Sequence, residues 1–266
     1  MMSMVLSLVN ALVIGLLCSV VFHLGEGWCF FIGGVIFVGS QAAIGLIARK
    51  KILAANVALQ NALTEAREKL SKKMNMIQQK NQGNVKLLQK LFEKEHAAVM
   101  TEALELTKKL DPYRKWNILL GKQINTMRMQ FYYQMKNYEM VDKLLPKSLL
   151  MDPMSVAMKM ARQHMRNDPG VDKTFEKKAK KFKGENAAVL YALYSWILVK
   201  RGDVDKAVQT LVKAKERIEN PVLTKNWEHL VNGRVKKFSN AGLGEEWYAL
   251  CLEEPKTKIM RQTRPY

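Results

Sequence analysis

The chain has 266 residues, 48% hydrophobic and 25% charged, a globular balance rather than that of a disordered polymer. Residues 1–48 contain no Lys or Arg and one acid, Glu26, so all 43 basic residues and 23 of the 24 acids follow them, a balance of +20 in a chain of net charge +19. Cys18, Cys29 and Cys251 are too few and too scattered for a disulfide framework, and no CxxC or HExxH spacing speaks for a structural metal.

The first apolar run is Met4 to His23 and the second is about Trp28 to Ala48. Each is about 20 residues, enough to cross about 30 Å of hydrocarbon as a helix, the form that satisfies its own backbone. Leu24-Gly25-Glu26-Gly27 makes a polar turn between them, with Trp28 placed for the interface. The first run lacks the positive start of a cleaved signal, and Leu16-Leu17 do not suit lipidation at Cys18. Residues 1–51 therefore read as a two-helix transmembrane hairpin. Arg49, Lys50 and Lys51 close the second span while the turn carries no basic residue, so the positive-inside rule puts the remainder, and the N-terminus with it, in the cytoplasm. Ala11, Gly15 and Ser19, with Gly39 and Ala43, offer small residues for helix packing within the hairpin or between copies, and Asn10 and Gln41 are expected to hydrogen-bond between helices.

Residues 52–83 read as a helical stalk. Ile52, Ala55, Leu59, Leu63, Ala66, Leu70, Met74 and Ile77 recur at steps of three and four. That stripe suits either a short coiled coil between protomers or packing onto the membrane surface or the globular part. Residues 84–121 are a helical lead-in, with Leu87, Leu88, Leu91, Ala98, Leu104 and Leu106 as candidate core, and Asp111-Pro112 stops the helix.

From residue 122 a common grammar repeats. A helix with aromatics ends in a polar turn, Lys136-Asn137 or Arg201-Gly202-Asp203, and an amphipathic helix follows and closes near Pro153 or Pro221. Between them Val156–Arg166, the turn Asn167-Asp168-Pro169-Gly170 and Val171–Phe182 supply a third pair. The pattern resembles the tetratricopeptide repeat, with Tyr132 and Tyr191 at first-helix aromatic positions. Val141, Leu145 and Ser148, and Ala207, Leu211 and Ala214, take the second-helix positions. The resemblance covers residues 122–221 as three hairpins; residues 222–266 then form capping helices and a basic tail, Leu223–Phe238 carrying Trp227, Leu230 and Val235, and Gly242–Leu252 folding back onto it. The fold class expected is all-α: transmembrane hairpin, helical stalk and α-solenoid. A two-span anchor followed by repeats is similar in layout to the bacterial HemY-type proteins.

Such repeats bind proteins along the face made by their first helices. The resemblance assigns that face to Gln123, Thr126, Gln130, Tyr133 and Gln134, then Lys159, Gln163 and Asn167, then Ala192, Trp196, Val199 and Lys200. No phosphate loop, nucleophile elbow or paired-acid motif is present, and no cofactor is implied. The excess positive charge has three readings. It holds the domain against anionic lipid, for which Arg49, Lys50, Lys51, Lys72 and Lys73 are placed; it attracts an acidic protein; or it binds nucleic acid, the densest run being Lys173–Lys183. The leading expectation is a scaffold or adaptor of a bacterial-type inner membrane that recruits a protein partner, with homo-oligomerisation through the membrane helices or stalk. A membrane-tethered nucleic-acid-binding protein comes second and a membrane-bound enzyme third.

Overall fold

A computed structural model describes residues 2–22, 26–80, 85–115 and 118–255. The described residues are helical, with no strand among them. Two compact units divide within helix α4. One comprises Met1–Phe131 with Pro146–Leu149, the other Tyr132–Leu145 with Leu150–Tyr266.

In the first unit, α1 (Met2–Phe22) packs along α2 (Glu26–Lys80). The contact is close at Gly33, where an added Cβ would lie 3.6 Å from the Ala11 carbonyl oxygen. One helix, over Phe30–Lys73, is long and apolar enough to cross a membrane, and its apolar stretch is unburied; a shorter apolar stretch covers Val5–Leu17. Val5, Leu12, Leu16, Trp28, Phe31, Val35, Val38, Leu46 and Ile47 all point outward, and Phe30 is 83% exposed. Gly39 and Ala43 are exposed, and a Cβ on Gly39 would meet nothing within 4 Å. They therefore do not serve the packing of α1 on α2; Ala11 does, and Gly15 is half-buried. The Ser19 side chain lies outside the described residues. Asn10 is exposed, and the amide nitrogen of Gln41 is buried with no partner among the described residues, so the expected bond between helices is not formed.

Helix α2 continues through residue 51 without a break, because nothing from Ile52 to Lys80 is Pro or Gly. The described part of its stripe packs inward, the side chains of Met74 and Ile77 lying outside the described residues. Leu59 and Leu63 join Ala103 and Leu110 and, from α4 (Ile118–Gln134), Leu120 and Ile124 in one cluster, with Ile52 and Ala55 against it. Helix α3 (Val85–Lys108) presents Met100, Ala103 and Thr107 as its buried face, while Leu87 and Ala98 are exposed and Leu91, Leu104 and Leu106 half-buried. Leu106 packs against the cluster of Leu59, Leu63, Ala103 and Leu110 as expected, the small Ala103 and Thr107 are buried beside it, and the Leu88 side chain lies outside the described residues. A short 3-10 helix, Asp111–Lys115, follows at Asp111-Pro112.

In the second unit, α5 (Tyr138–Leu144), α6 (Pro153–Met165), α7 (Gly170–Lys178), α8 (Ala188–Arg201), α9 (Val204–Lys215), α10 (Pro221–Val231) and α11 (Glu245–Tyr248) follow in order. Helix α6 packs on α7 and α8, α8 on α9, and α9 on α10. Every residue from Ala188 to Leu198 is buried, so α8 is the centre of the core. Ala207, Leu211 and Ala214 bury one face of α9, and Val141 one face of α5.

The turns repeat. Lys136, Asn167 and Gly202 adopt left-handed φ of 57°, 53° and 84°. At each, the next N–H bonds back five residues: Asn137 to Tyr132, Asp168 to Gln163 and Asp203 to Leu198, each 2.9 Å. This is the Schellman closure of a helix. The same Asn137 and Asp203 then cap the following helix, accepting from the N–H of Met140 and Lys206, and Asp168 accepts from Gly170 N–H at 2.7 Å. Gly233, φ 67°, ends α10 in the same way, with Arg234 N–H on the His229 carbonyl.

Two sequence assignments shift. Pro153 and Pro221 do not close the second helices. They open α6 and α10 at the first helical positions, behind the capping side chains of Asp152 and Asn220, where a missing N–H costs nothing. Helix α5 already ends at Leu144, so Leu145 falls in a 3-10 turn and Ser148 beyond it, outside any second helix.

Candidate functional site

The residues assigned to the binding face separate by unit. In the first, Gln123 is exposed and Gln130 half-buried. Thr126 is buried: its hydroxyl lies 2.9 Å from the Leu149 carbonyl and accepts the Leu149 N–H. Thr126 thus ties a loop to α4 and is not available to a partner.

In the second unit Tyr133, Gln134, Ala192 and Trp196 come together, but around the chain's own C-terminal segment. Tyr133 is fully buried and donates its hydroxyl to the Leu250 carbonyl at 2.7 Å. Burial holds that phenol well above its ordinary value, so it stays protonated and a donor. Gln134 donates its amide to the Ala249 carbonyl at 3.1 Å. The Trp196 indole N–H donates to one oxygen of Glu253 and the Trp247 indole N–H to the other, each at 2.8 Å. The two indoles meet edge to face with centroids 5.7 Å apart, and His164 stands edge-on to Trp196 at 5.3 Å. Ala192 is buried, and its carbonyl accepts from Asn240, which in turn accepts from Asn226 of α10.

The others sit around this cluster or apart from it. Lys200 places its ammonium 5.2 Å from the Trp196 ring, a cation–π distance, and Val199 is half-buried. Gln163 donates to Asp168 at 3.1 Å, with its carbonyl oxygen buried and without a partner among the described residues. Lys159 is half-buried, and Asn167 is exposed at the left-handed turn position.

Reasoning from the repeat missed Ala249, Leu250 and Glu253 as contacts of the first helices. Gly242 does lie against Val222 of α10, as a segment folding onto the cap requires, but residues 247–253 extend to Tyr133, Gln134 and Trp196. A signal was present. Ala188–Val199 carries no charged residue on any side, and a helix apolar all round is covered all round.

Ion pairs brace neighbouring helices. Arg162 of α6 grips Asp142 of α5 with two bonds, 2.9 and 2.7 Å, and lies over the Tyr138 ring at 4.9 Å. The guanidinium bonds hold the Asp142 carboxyl below its usual range. Arg201 of α8 and the Tyr194 hydroxyl both reach Asp172 of α7 at 3.0 Å, with Phe175 stacked on Tyr194.

The residues assigned to lipid, Arg49, Lys50, Lys51, Lys72 and Lys73, are all exposed, and Lys73 is also paired with Glu95 of α3 at 2.7 Å. Lys173, Lys177, Lys180, Lys181 and Lys183 are exposed on and after α7. No protein-family model, curated protein or solved structure matches the chain.

Proposed function

We propose that the chain is a membrane-anchored helical-repeat adaptor that holds a protein-binding face at the cytoplasmic surface of a bacterial-type inner membrane. The observation that carries this reading is the joining of two features in one chain. An outward apolar surface covers α1 and the first part of α2 up to Arg49-Lys50-Lys51, and three helix pairs beyond it close with the same turn. In this reading α1 and the start of α2 cross the bilayer together, with the basic cluster on the cytoplasmic side. The continuation of α2 packs directly on α3 and α4, which keeps that part of the protein close to the lipid. Arg49, Lys50, Lys51 and Lys72 would each add about 1 kcal/mol of attraction to an anionic surface. Exposed Gly39 and Ala43 suit contact between copies. The role is binding rather than catalysis: the first helices α6 and α8 and the end of α4 receive a protein segment.

Crosslinking in native membranes with identification of the captured protein tests it. One partner is expected, its capture reduced about tenfold by Lys200→Glu and unchanged by Lys225→Ala, which lies on α10. Equal capture by both variants removes the face from the reading. The exposed lysines of α7 favour a second reading, tethered nucleic-acid binding. It predicts retention of nucleic acid by the full chain with steep salt dependence and no captured protein.

A further inference from the structure

Part of the face that this reading gives to a partner, the end of α4 and Trp196 of α8, is already covered by Gly244–Glu253. Tyr133 and Gln134 hold the main-chain carbonyls of Leu250 and Ala249, Trp196 holds the Glu253 carboxylate, and Trp247 and Leu250 are fully buried beneath. The structure internal to the docked segment is short, one helical turn continued by turn bonds as far as Cys251, too few residues to hold that shape in isolation. Its helix is one turn, Glu245–Tyr248, set between left-handed φ at Gly244 (61°) and Cys251 (53°), so docking rather than local helix formation fixes its shape.

Its charge is also unlike that of the rest of the chain. Residues 244–255 carry Glu245, Glu246, Glu253 and Glu254 and no basic residue, in a chain of net charge +19. The receiving side carries Lys200, its ammonium over the Trp196 ring, while Arg201 beside it is paired with Asp172 of α7. What the face reads is therefore general: two peptide carbonyls, an indole-sized ring and a carboxylate six residues beyond it, presented by an acidic stretch. Nothing in that list requires the occupant to belong to the same chain.

We infer that Gly244–Glu253 is an internal ligand, and that the partner is a protein whose exposed acidic segment, an aromatic ring followed by a carboxylate, displaces it. Glu253 is the latch, since its carboxylate is shared between an indole of the receiver and an indole of the segment. The inference rests on the reading of this face as the partner site.

The test uses full-length protein in detergent and a fluorescent synthetic peptide of residues 244–255. Opening the latch with Glu253→Ala raises the fraction of empty face, so the peptide is expected to bind that variant about tenfold more tightly than the wild type. Binding should weaken with salt and vanish for a Trp247→Ala peptide. In the wild type, amides of 245–253 are expected to exchange at least about tenfold faster than those of α8. Protection of 245–253 equal to that of α8 overturns the inference, and does so on the wild type even if Glu253→Ala fails to fold. Absence of peptide binding to a folded Glu253→Ala protein also overturns it. The two readings fail separately. Peptide binding without any crosslinked partner leaves the internal ligand standing and removes the adaptor. A captured partner that the peptide cannot compete away keeps the adaptor and removes the internal ligand.

Discussion

At the scale of single residues, the second unit relies on polar groups that are buried and matched. Tyr133 is one: among the described residues its hydroxyl is the one side chain that bonds the Leu250 carbonyl, and the ring packs edge to face on Tyr138 at 5.6 Å. Tyr133→Phe keeps the ring and strands that carbonyl, which costs about 1–3 kcal/mol. The check is the denaturation midpoint of the full chain in detergent, expected to fall without loss of helical signal. His164 is another. Burial first, then the charges of Arg201 and Lys200, hold its imidazole below the ordinary value of 6.5. The unfolded chain therefore takes up the proton before the folded one, and stability falls as pH drops below about 6.5. The melting temperature is expected to be lower at about pH 5.5 than at pH 7.5, and His164→Gln to shrink that difference. An unchanged difference would place the titrating group elsewhere. Neither role could be read from the sequence. Tyr133 and Leu250 are 117 positions apart, and a side chain bonding a distant carbonyl leaves no periodic trace.

At the scale of elements, the sequence was informative where local chemistry acts alone. The turns at Lys136-Asn137, Asn167-Asp168 and Gly202-Asp203 announce themselves because the left-handed position and the following cap are adjacent in the chain. Register was harder. Pro153 and Pro221 are compatible with the end of one helix or the start of the next, and only the capping bonds of Asp152 and Asn220 decide. The face of α3 depends on which small residues meet α2, which no single helix reveals. The turns also allow a controlled comparison. A Cβ on Gly202 would meet nothing within 4 Å, so Gly202→Ala adds conformational strain alone, about 1 kcal/mol. Lys136→Gly at φ 57° should relieve a similar strain and raise stability by up to about 1 kcal/mol. Opposite signs in paired thermal melts are the expected result; a loss in both would mean that the Lys136 side chain contributes more than its backbone costs.

At the scale of the whole molecule, the uneven charge is what chooses a side in the proposed topology, which neither hydropathy nor fold does alone. The outward apolar surface of α1 and early α2 is indifferent to direction. The basic cluster Arg49-Lys50-Lys51, exposed on α2, is not, because the sequence between the two apolar runs carries no Lys or Arg. The proposed topology keeps both ends of the chain on the side of synthesis. A fluorescent-protein fusion after residue 255 is therefore expected to glow, and an alkaline-phosphatase fusion at the same point to stay inactive. If the cluster sets the side, replacing Arg49, Lys50 and Lys51 with Gln while placing three Lys at residues 24–27 should export the C-terminal part of a fraction of the molecules and switch on the phosphatase. Phosphatase activity in the unaltered protein would reverse the assignment. It would also put the basic second unit and its docked acidic segment outside the cell, where a cytoplasmic partner could not reach them.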